Sequence, residues 1–153
     1  MYNRNLNTYQ QNQIKTASPE QILLMLYDGA IRFTKQAING IENGDANARR
    51  HGISKAMAIV VEFSNSLDRE IGGKIAEDLD ALYDYMVRQM TEANLKNDSE
   101  KLEVVLRLLT DLRQTWGEAV EINKKEMSGT AQAVANVPHP SPQESYTSFS
   151  ISR

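Results

Sequence analysis

The sequence predicts an all-α protein, an antiparallel up-and-down four-helix bundle with an N-terminal arm and a disordered C-terminal tail. Apolar residues recur three and four positions apart along four long stretches, which is the spacing of one helix face. Short polar segments separate these stretches, and no segment is a credible strand. Long helices joined by short connections are typical of an up-and-down bundle. We therefore divide the chain into an arm, residues 1–16, a bundle, residues 17–126, and a tail, residues 127–153.

The first predicted helix has a well-defined start. Ser18 is a good N-cap because its hydroxyl can accept a hydrogen bond from a free backbone N–H, and Pro19 suits the first helical position, where no N–H donor is needed. Gln21 completes a capping box with Ser18. We expect this helix to run to about Ile41, before the Asn-Gly pair at 43–44. Its apolar residues cover most of its circumference, as in a central helix or one that a partner covers.

Caps and breaks predict three further helices. Asp45 can cap a second helix over about residues 46–69, and the glycine pair at 72–73 interrupts the chain because paired glycines are unfavourable inside a helix. A third helix is expected over about residues 74–95 and a fourth over about residues 100–125. In the second helix, too, the apolar residues spread well beyond one stripe. The sequence therefore indicates a surplus of apolar helical surface.

The two ends of the chain differ in character from the bundle. Residues 1–16 are polar and rich in Asn and Gln, but Tyr2, Leu6 and Tyr9 fall at helical spacing. This arm is either a frayed terminus or a segment that folds onto an apolar surface, and the sequence leaves both open. Residues 128–153 are rich in Ser, Ala, Pro and Thr, which predicts a disordered tail with room for one short helical turn.

Composition excludes several classes of protein. With 17 basic and 20 acidic residues the chain has a net charge of −3, too balanced for a nucleic-acid-binding protein. Its longest strongly apolar run, residues 22–27, is far too short to span a bilayer, and the polar N-terminus lacks the apolar core of a secretory signal. The absence of cysteine excludes disulfides and thiolate metal sites. We predict a cytosolic protein that binds no nucleic acid and does not insert into membranes.

The sequence offers no catalytic or cofactor-binding set. A di-iron bundle needs Glu-x-x-His pairs, but His139 lies in the tail and His51 has Ala48 three residues before it. His51 could serve a histidine phosphotransfer bundle, since Gly52 and Lys55 follow it, although their order departs from the usual His-x-x-Lys-Gly. The alternative is a solvated histidine in the first turns of a helix. We predict a protein that is not an enzyme and holds no cofactor or metal.

Two features suit either a partner-binding surface or an ordinary helix. Asp28 interrupts an apolar stretch, so it is either a surface acid paired with Arg32 or a polar anchor beside an apolar groove. Four of the six methionines fall in predicted helices, where flexible thioethers either fill the core or form a surface that accepts a partner. The residues by themselves indicate a small helical bundle that binds or wraps a helix of another protein.

Three segments carry a resemblance to a known family. Residues 16–20, Thr-Ala-Ser-Pro-Glu, lead into residues 24–33, Leu-Met-Leu-Tyr-Asp-Gly-Ala-Ile-Arg-Phe, and residues 67–76 read Leu-Asp-Arg-Glu-Ile-Gly-Gly-Lys-Ile-Ala. In this order and with these gaps they resemble the flagellin-specific export chaperones, the FliS family, over about residues 9–123. The resemblance implies a fold of antiparallel helices and no catalysis.

The resemblance also implies partners and a mechanism. The expected partner is the C-terminal region of flagellin, which the chaperone wraps around its helices so that flagellin does not polymerise in the cytosol. The complex is then delivered to the flagellar export gate of the type III export apparatus, and the family suggests other flagellar regulators as further partners. The arm is expected to cover part of the empty groove and to move aside on binding. A non-flagellar adaptor that binds some other amphipathic helix stays open as the alternative function.

We expect the partner-binding residues where apolar residues exceed what the core needs. Plain core packing is the alternative for each of them. The predicted residues lie on the arm and on the first three helices: Tyr9, Ile14, Tyr27, Ile31, Ile59, Phe63, Tyr83 and Met86.

Overall fold

The computed structural model describes residues 16–136, and within this range the chain forms four helices and no strand. The helices are α1 (Pro19–Glu42), α2 (Ala46–Asn65), α3 (Arg69–Lys96) and α4 (Ser99–Asn136). The chain divides into two compact units, Met1–Gly117 and Glu118–Arg153. The first unit holds α1, α2, α3 and the first part of α4. The predicted all-α class and the number of helices are confirmed.

The start of α1 follows the local chemistry of its first residues. The Ser18 hydroxyl accepts a hydrogen bond from the Gln21 amide at 3.2 Å, and the Gln21 side chain accepts one from the Ser18 amide at 3.1 Å. This reciprocal pair is the predicted capping box, with Pro19 at the first helical position. The helix ends at Glu42, and Gly44 leaves it with φ 69°, a left-handed conformation that glycine adopts without strain.

Glycine lets α1 and α2 approach almost to backbone contact. A Cβ atom on Gly52 of α2 would lie 2.5 Å from the carbonyl oxygen of Phe33 and 2.7 Å from the amide nitrogen of Ala37, both in α1. On α1, a Cβ atom on Gly40 would lie 2.5 Å from the amide nitrogen of Arg49. These spaces cannot hold a methyl group without a shift of backbone, so the two glycines set the separation of the helix pair.

The corner between α2 and α3 differs from the sequence prediction. α2 ends at Asn65 rather than near Arg69, and α3 begins before the glycine pair because the Asp68 side chain accepts hydrogen bonds from its first amides, each 3.1 Å long. Gly73 then kinks α3, with φ 51° and ψ −124°, a conformation open in practice to glycine alone. The break predicted at the glycine pair is therefore confirmed, and the long helical segment follows it from Lys74, where the third helix was predicted to start. The short helical segment before the break, from Arg69, was not predicted.

A polar clamp holds the kinked segment of α3 against the rest of that helix. The Arg69 guanidinium lies 2.9 Å from the Asp80 carboxylate, and the Ser64 hydroxyl of α2 donates a hydrogen bond to the same carboxylate. Arg69 and Asp80 are eleven residues apart, which in an unbroken helix would separate them by about 16 Å. The clamp can therefore form only because the helix bends at Gly73.

We expect this clamp to stabilise the fold at neutral pH and to fail in acid. The Ser64 hydroxyl and then the Arg69 guanidinium lower the pKa of Asp80 below its ordinary value of 3.8. A carboxyl whose pKa is lower in the folded state stabilises the fold above its unfolded pKa, and this stabilisation is lost as the pH falls through the folded pKa. Asp80→Asn should lower the melting temperature at pH 7, and the difference from the unmodified protein should shrink below about pH 4.

Asp78→Asn is the matched control for this experiment. Asp78 pairs with Lys74 on the same helix at 3.2 Å, but both side chains are exposed. Exposed pairs contribute little to stability, so this variant should melt close to the unmodified protein at neutral pH. Equal melting temperatures for the Asp80 and Asp78 variants at pH 7 would contradict the clamp.

The buried core of the first unit joins all four helices. Its centre is aromatic: Phe63 of α2 stacks on Tyr27 of α1 with 4.3 Å between ring centroids and meets Tyr83 of α3 at 5.6 Å. α4 contributes Leu102 and Leu109, both fully buried, and these residues bring the apolar stripe of α4 against the other three helices. Within the described residues, every buried polar side-chain atom has a hydrogen-bond partner.

α4 continues beyond its predicted end near Lys125 and reaches Asn136, so that prediction was wrong. The added turns contain three alanines, the best helix formers, and the first proline of the tail, Pro138, follows two residues after the end. The residue before a proline avoids the helical conformation, which accounts for the stop at Asn136. The rest of the predicted tail, residues 137–153, and the arm up to residue 15 lie outside the described residues.

Candidate functional site

An apolar groove of about 380 Å³ opens at the α2–α3 corner of the first unit. Side chains from all four helices line it. The apolar ones are Leu23, Leu26, Phe63, Leu67, Ile71, Ile75, Ala76, Leu79, Tyr83 and Trp116, and Glu62, Ser66, Asp68 and Gly72 complete the lining. We call this surface the apolar groove. Its two charged residues, Glu62 and Asp68, are both acidic.

The kink in α3 leaves two large aliphatic side chains of the groove in solvent. Ile71 precedes Gly73 and is 87% exposed, while Ile75 follows it and is 69% exposed. Neither side chain belongs to the buried core cluster. Exposed aliphatic residues beside a concave apolar surface are typical of a site that receives another apolar surface. The groove therefore has the character of a protein-binding site rather than that of a pocket for polar substrates.

A pair of tyrosines connects the groove to the core. The hydroxyl oxygens of Tyr27 and Tyr83 lie 2.7 Å apart, and both side chains are buried. Burial raises the pKa of Tyr27, although hydrogen bonds with Tyr83 and Trp116 act in the opposite direction. Burial and then the hydrogen bond with Tyr27 also raise the pKa of Tyr83. Both hydroxyls are therefore neutral near pH 7 and act as hydrogen-bond donors and acceptors, not as charged groups.

Asp28 does not form the ion pair predicted for it. Its carboxylate lies 2.9 Å from Nε of Arg113, so it joins α1 to α4, whereas Arg32 places its guanidinium 5.0 Å from the centre of the Phe33 ring. The predicted pair within α1 was wrong because a partner on a neighbouring helix was closer. Asp28 does not line the groove, and its role as an anchor stays a prediction.

Of the eight predicted partner-binding residues, the structure describes six, and these are either buried or half-buried. Tyr27, Phe63, Tyr83 and Met86 are buried, and Phe63 and Tyr83 also line the groove. Ile31 and Ile59 are half-buried beside the core and lie outside the groove lining. Tyr9 and Ile14 belong to the arm outside the described residues. The structure thus brings two of the eight together in one groove.

Sequence reasoning missed most of the groove. Five of its lining residues were not among the predicted partner-binding residues: Leu67, Ile71, Ile75, Leu79 and Trp116. One signal was present: Ile71 lies four residues before Ile75, which is the spacing of one helix face across the glycine pair. Without the kink angle, however, the sequence could not indicate that the Ile71 side chain faces solvent.

The other candidate chemistry finds no support in the described residues. His51 is exposed on α2, with its ring edge-on to Phe33 at 5.9 Å between centroids. Between residues 16 and 136, no group of His, Asp and Glu side chains could hold a metal ion. In the same part of the chain, no helix combines the length and apolar character needed to cross a membrane.

Comparison with known proteins identifies the family to which the chain belongs. A family profile described as "Flagellar protein FliS" matches residues 1–123. The chain belongs to the FliS family. The flagellar secretion chaperone FliS of Bacillus subtilis is 37% identical over 122 residues, covering 80% of this chain and 90% of its own. That of Salmonella typhimurium is 39% identical over 107 residues, covering 69% and 79%.

The family resemblance drawn from the sequence is thereby confirmed. A solved structure titled "Crystal structure of flagellar chaperone from bacteria" matches with a TM-score of 0.63 and 19% identity, over 79% of this chain and 98% of that one, which supports the fold. FliS is a chaperone family and not an enzyme family, in agreement with the prediction for this chain. Membership therefore favours the solvated histidine over the phosphotransfer hypothesis for His51.

Proposed function

We propose that this FliS protein binds the C-terminal region of flagellin in the cytosol, prevents its premature polymerisation and delivers it to the flagellar type III export apparatus. The apolar groove, with its exposed isoleucines, is the observation that carries the proposal. The relatives named flagellar secretion chaperones support a flagellar protein as the partner. A segment of flagellin that is apolar on one face and disordered when free has the chemistry that this groove would accept.

The energetics of such a segment explain why the groove must be open and apolar. A disordered chain loses conformational entropy when it folds on a surface, and it must bury much apolar area to compensate. Complete burial of one isoleucine contributes about 1.5 to 3 kcal/mol. Ile71 and Ile75 are nearly free of contacts with the core, so most of their burial remains available to the partner.

The surface of the groove is smaller than the area that a standard protein interface buries. The proposed interface with flagellin therefore extends beyond the groove. Interfaces between stable partners bury about 1,200 to 2,000 Å² in total. Ile31 of α1 and Ile59 of α2 are half-buried and remain proposed contacts along the same helices. Tyr9 and Ile14 remain proposed contacts of the arm. Tyr27 and Met86, both fully buried, would then act by supporting the groove from inside.

Release is proposed to come from competition at the export gate. The sequence contains no phosphate-binding loop, since the Gly-Gly-Lys at 72–74 lacks both the upstream glycine and the following Ser or Thr. Release of flagellin from the isolated pair on addition of ATP alone would contradict this.

Calorimetric titration tests the proposed function. A peptide covering the C-terminal region of flagellin from the same organism should bind the full chain one to one. The heat-capacity change should be large and negative, because the segment buries apolar surface as it folds. A peptide of the same composition in scrambled order is the control and should not bind. Failure of the native peptide to bind, with both components folded or soluble, would favour a non-flagellar adaptor.

A further inference from the structure

One wall of the apolar groove is the short segment between the end of α2 and the kink of α3. We call residues 66–72 the groove wall. Five side chains or backbone positions of the groove lining belong to it: Ser66, Leu67, Asp68, Ile71 and Gly72. Four more lie on the long part of α3 beyond the kink: Ile75, Ala76, Leu79 and Tyr83. The shape of the groove therefore depends on the angle at which the groove wall meets the rest of α3.

The groove wall has little apolar anchoring of its own. Leu67 packs against the core, but Ile71 is exposed and belongs to no buried cluster. Its hydrogen bonds are local. The Asp68 carboxylate accepts from the amides of Glu70 and Ile71, and the Asp68 carbonyl accepts from the Gly72 amide at 2.8 Å. These bonds fix the internal shape of the groove wall, but they leave its angle to the long part of α3 free.

Asp80 provides the contact that sets this angle. Its carboxylate lies 2.9 Å from the guanidinium of Arg69, in the groove wall, and it also accepts a hydrogen bond from Ser64 at the end of α2. Between residues 16 and 136, the Arg69–Asp80 pair is the one ion pair that crosses the kink at Gly73. A single side chain beyond the kink thus holds both the groove wall and the end of α2.

Gly73 makes a second arrangement of α3 accessible. Glycine adopts the kinked conformation, φ 51° and ψ −124°, without a steric penalty, but it can also take the helical one. A continuous helix over residues 69–96 is therefore the competing form. In that form Arg69 would lie about 16 Å from Asp80 along the helix axis, out of reach of an ion pair. The groove wall would then no longer meet the long part of α3 at the angle that shapes the groove.

We propose that Asp80 is a positioning residue for partner binding, which holds α3 in its bent form and so places Ile71 where the bound segment buries it. This inference rests on the proposed function and adds to it a polar contact that controls the affinity of an apolar site. Asp80 does not line the groove, so it acts through Arg69 and the groove wall. A wall that already has its bound conformation need not be ordered on binding, and this preorganisation raises affinity.

Asp80→Asn should weaken binding of the flagellin C-terminal peptide by about 3- to 10-fold. The apparent dissociation constant rises as the binding-competent fraction falls, so this loss corresponds to a bent form reduced to about a third to a tenth of the molecules. Asp78→Asn, which removes an exposed pair on the same helix, should bind within about twofold of the unmodified protein. Titration calorimetry well below the melting temperature of each variant compares folded protein only.

A double variant separates positioning from a general structural role. If Asp80 acts by placing Ile71, its substitution has nothing left to misplace once Ile71 is gone. Ile71→Ser combined with Asp80→Asn should therefore bind within about twofold of Ile71→Ser alone. A general weakening of the fold would instead reduce the affinity of Ile71→Ser by the same factor as that of the unmodified protein. Independent, multiplying losses in this cycle would overturn the inference.

The other outcomes distinguish the inference from the function on which it rests. Unchanged affinity of Asp80→Asn, with Ile71→Ser losing binding, overturns the positioning role and leaves the proposed function standing. Absence of peptide binding by the unmodified protein removes the proposed function and the inference together. Should Asp80→Asn fail to fold, Arg69→Gln removes the same ion pair from its more exposed end. A 3- to 10-fold loss is expected for Arg69→Gln as well, by about the same reduction of the bent form, and unchanged affinity of that variant overturns the inference.

Discussion

Ile71→Ser should weaken binding of the flagellin C-terminal peptide by about tenfold or more, with little change in the melting temperature of the protein. Ile71 is 87% exposed in the free chain, so its removal costs the fold almost no packing. In the proposed complex the same side chain is buried by the partner, and its loss forfeits about 1.5 to 3 kcal/mol. That free energy corresponds to a factor of about 10 to 150 in the dissociation constant. Titration calorimetry and a thermal melt of the same preparation measure both quantities.

Leu95→Ser is the matched control for this substitution. Leu95 is also an aliphatic residue on α3 and is 78% exposed, but it does not line the groove. If any exposed aliphatic residue contributed to non-specific association, both variants would lose affinity to a similar degree. We expect Leu95→Ser to bind like the unmodified protein. Equal affinities of the two variants would show that the groove is not where the peptide binds.

The elements that the sequence predicted well are those governed by local chemistry. The start of α1 depends on Ser18, Pro19 and Gln21, which are neighbours in the chain, and their hydrogen bonds form as the cap pattern predicts. Asp45 likewise caps α2 where expected, accepting from the Ala48 amide at 3.0 Å. The end of α4 was missed because a Ser- and Ala-rich segment has the composition of a tail but retains good helix propensity until the proline.

The groove was beyond sequence reasoning because its geometry depends on contacts between distant residues. A glycine pair can end a helix or bend it, and here the clamp of Ser64 and Arg69 on Asp80 holds the bent form. This bend is what leaves Ile71 and Ile75 exposed. The periodicity of apolar residues indicated that α1 to α3 carry a surplus of apolar surface, but not where the surplus lies. The predicted residues accordingly fell mainly on the core side of these helices.

Gly52→Ala should lower the stability of the fold by about 1 to 3 kcal/mol, the range typical of overpacked cores. Its Cβ atom would lie 2.5 Å from the Phe33 carbonyl oxygen and 2.7 Å from the Ala37 amide nitrogen, and backbone of α1 cannot turn aside as a flexible side chain can. Alanine is favoured over glycine inside a helix by about 1 kcal/mol, which offsets part of the strain. We expect a melting temperature lower by about 3 to 10 °C.

Gly29→Ala provides the comparison within the same helix pair. A Cβ atom on Gly29 of α1 would meet Cδ1 of Ile59 at 3.4 Å, the flexible end of a side chain on α2 that can adjust. Here the gain in helix propensity should prevail, so this variant should melt at or above the temperature of the unmodified protein. Equal melting temperatures for the two alanine variants would mean that α1 and α2 separate at little cost. A large difference would show that their close approach at Gly52 is rigid, and that the groove is built on a helix pair with a fixed spacing.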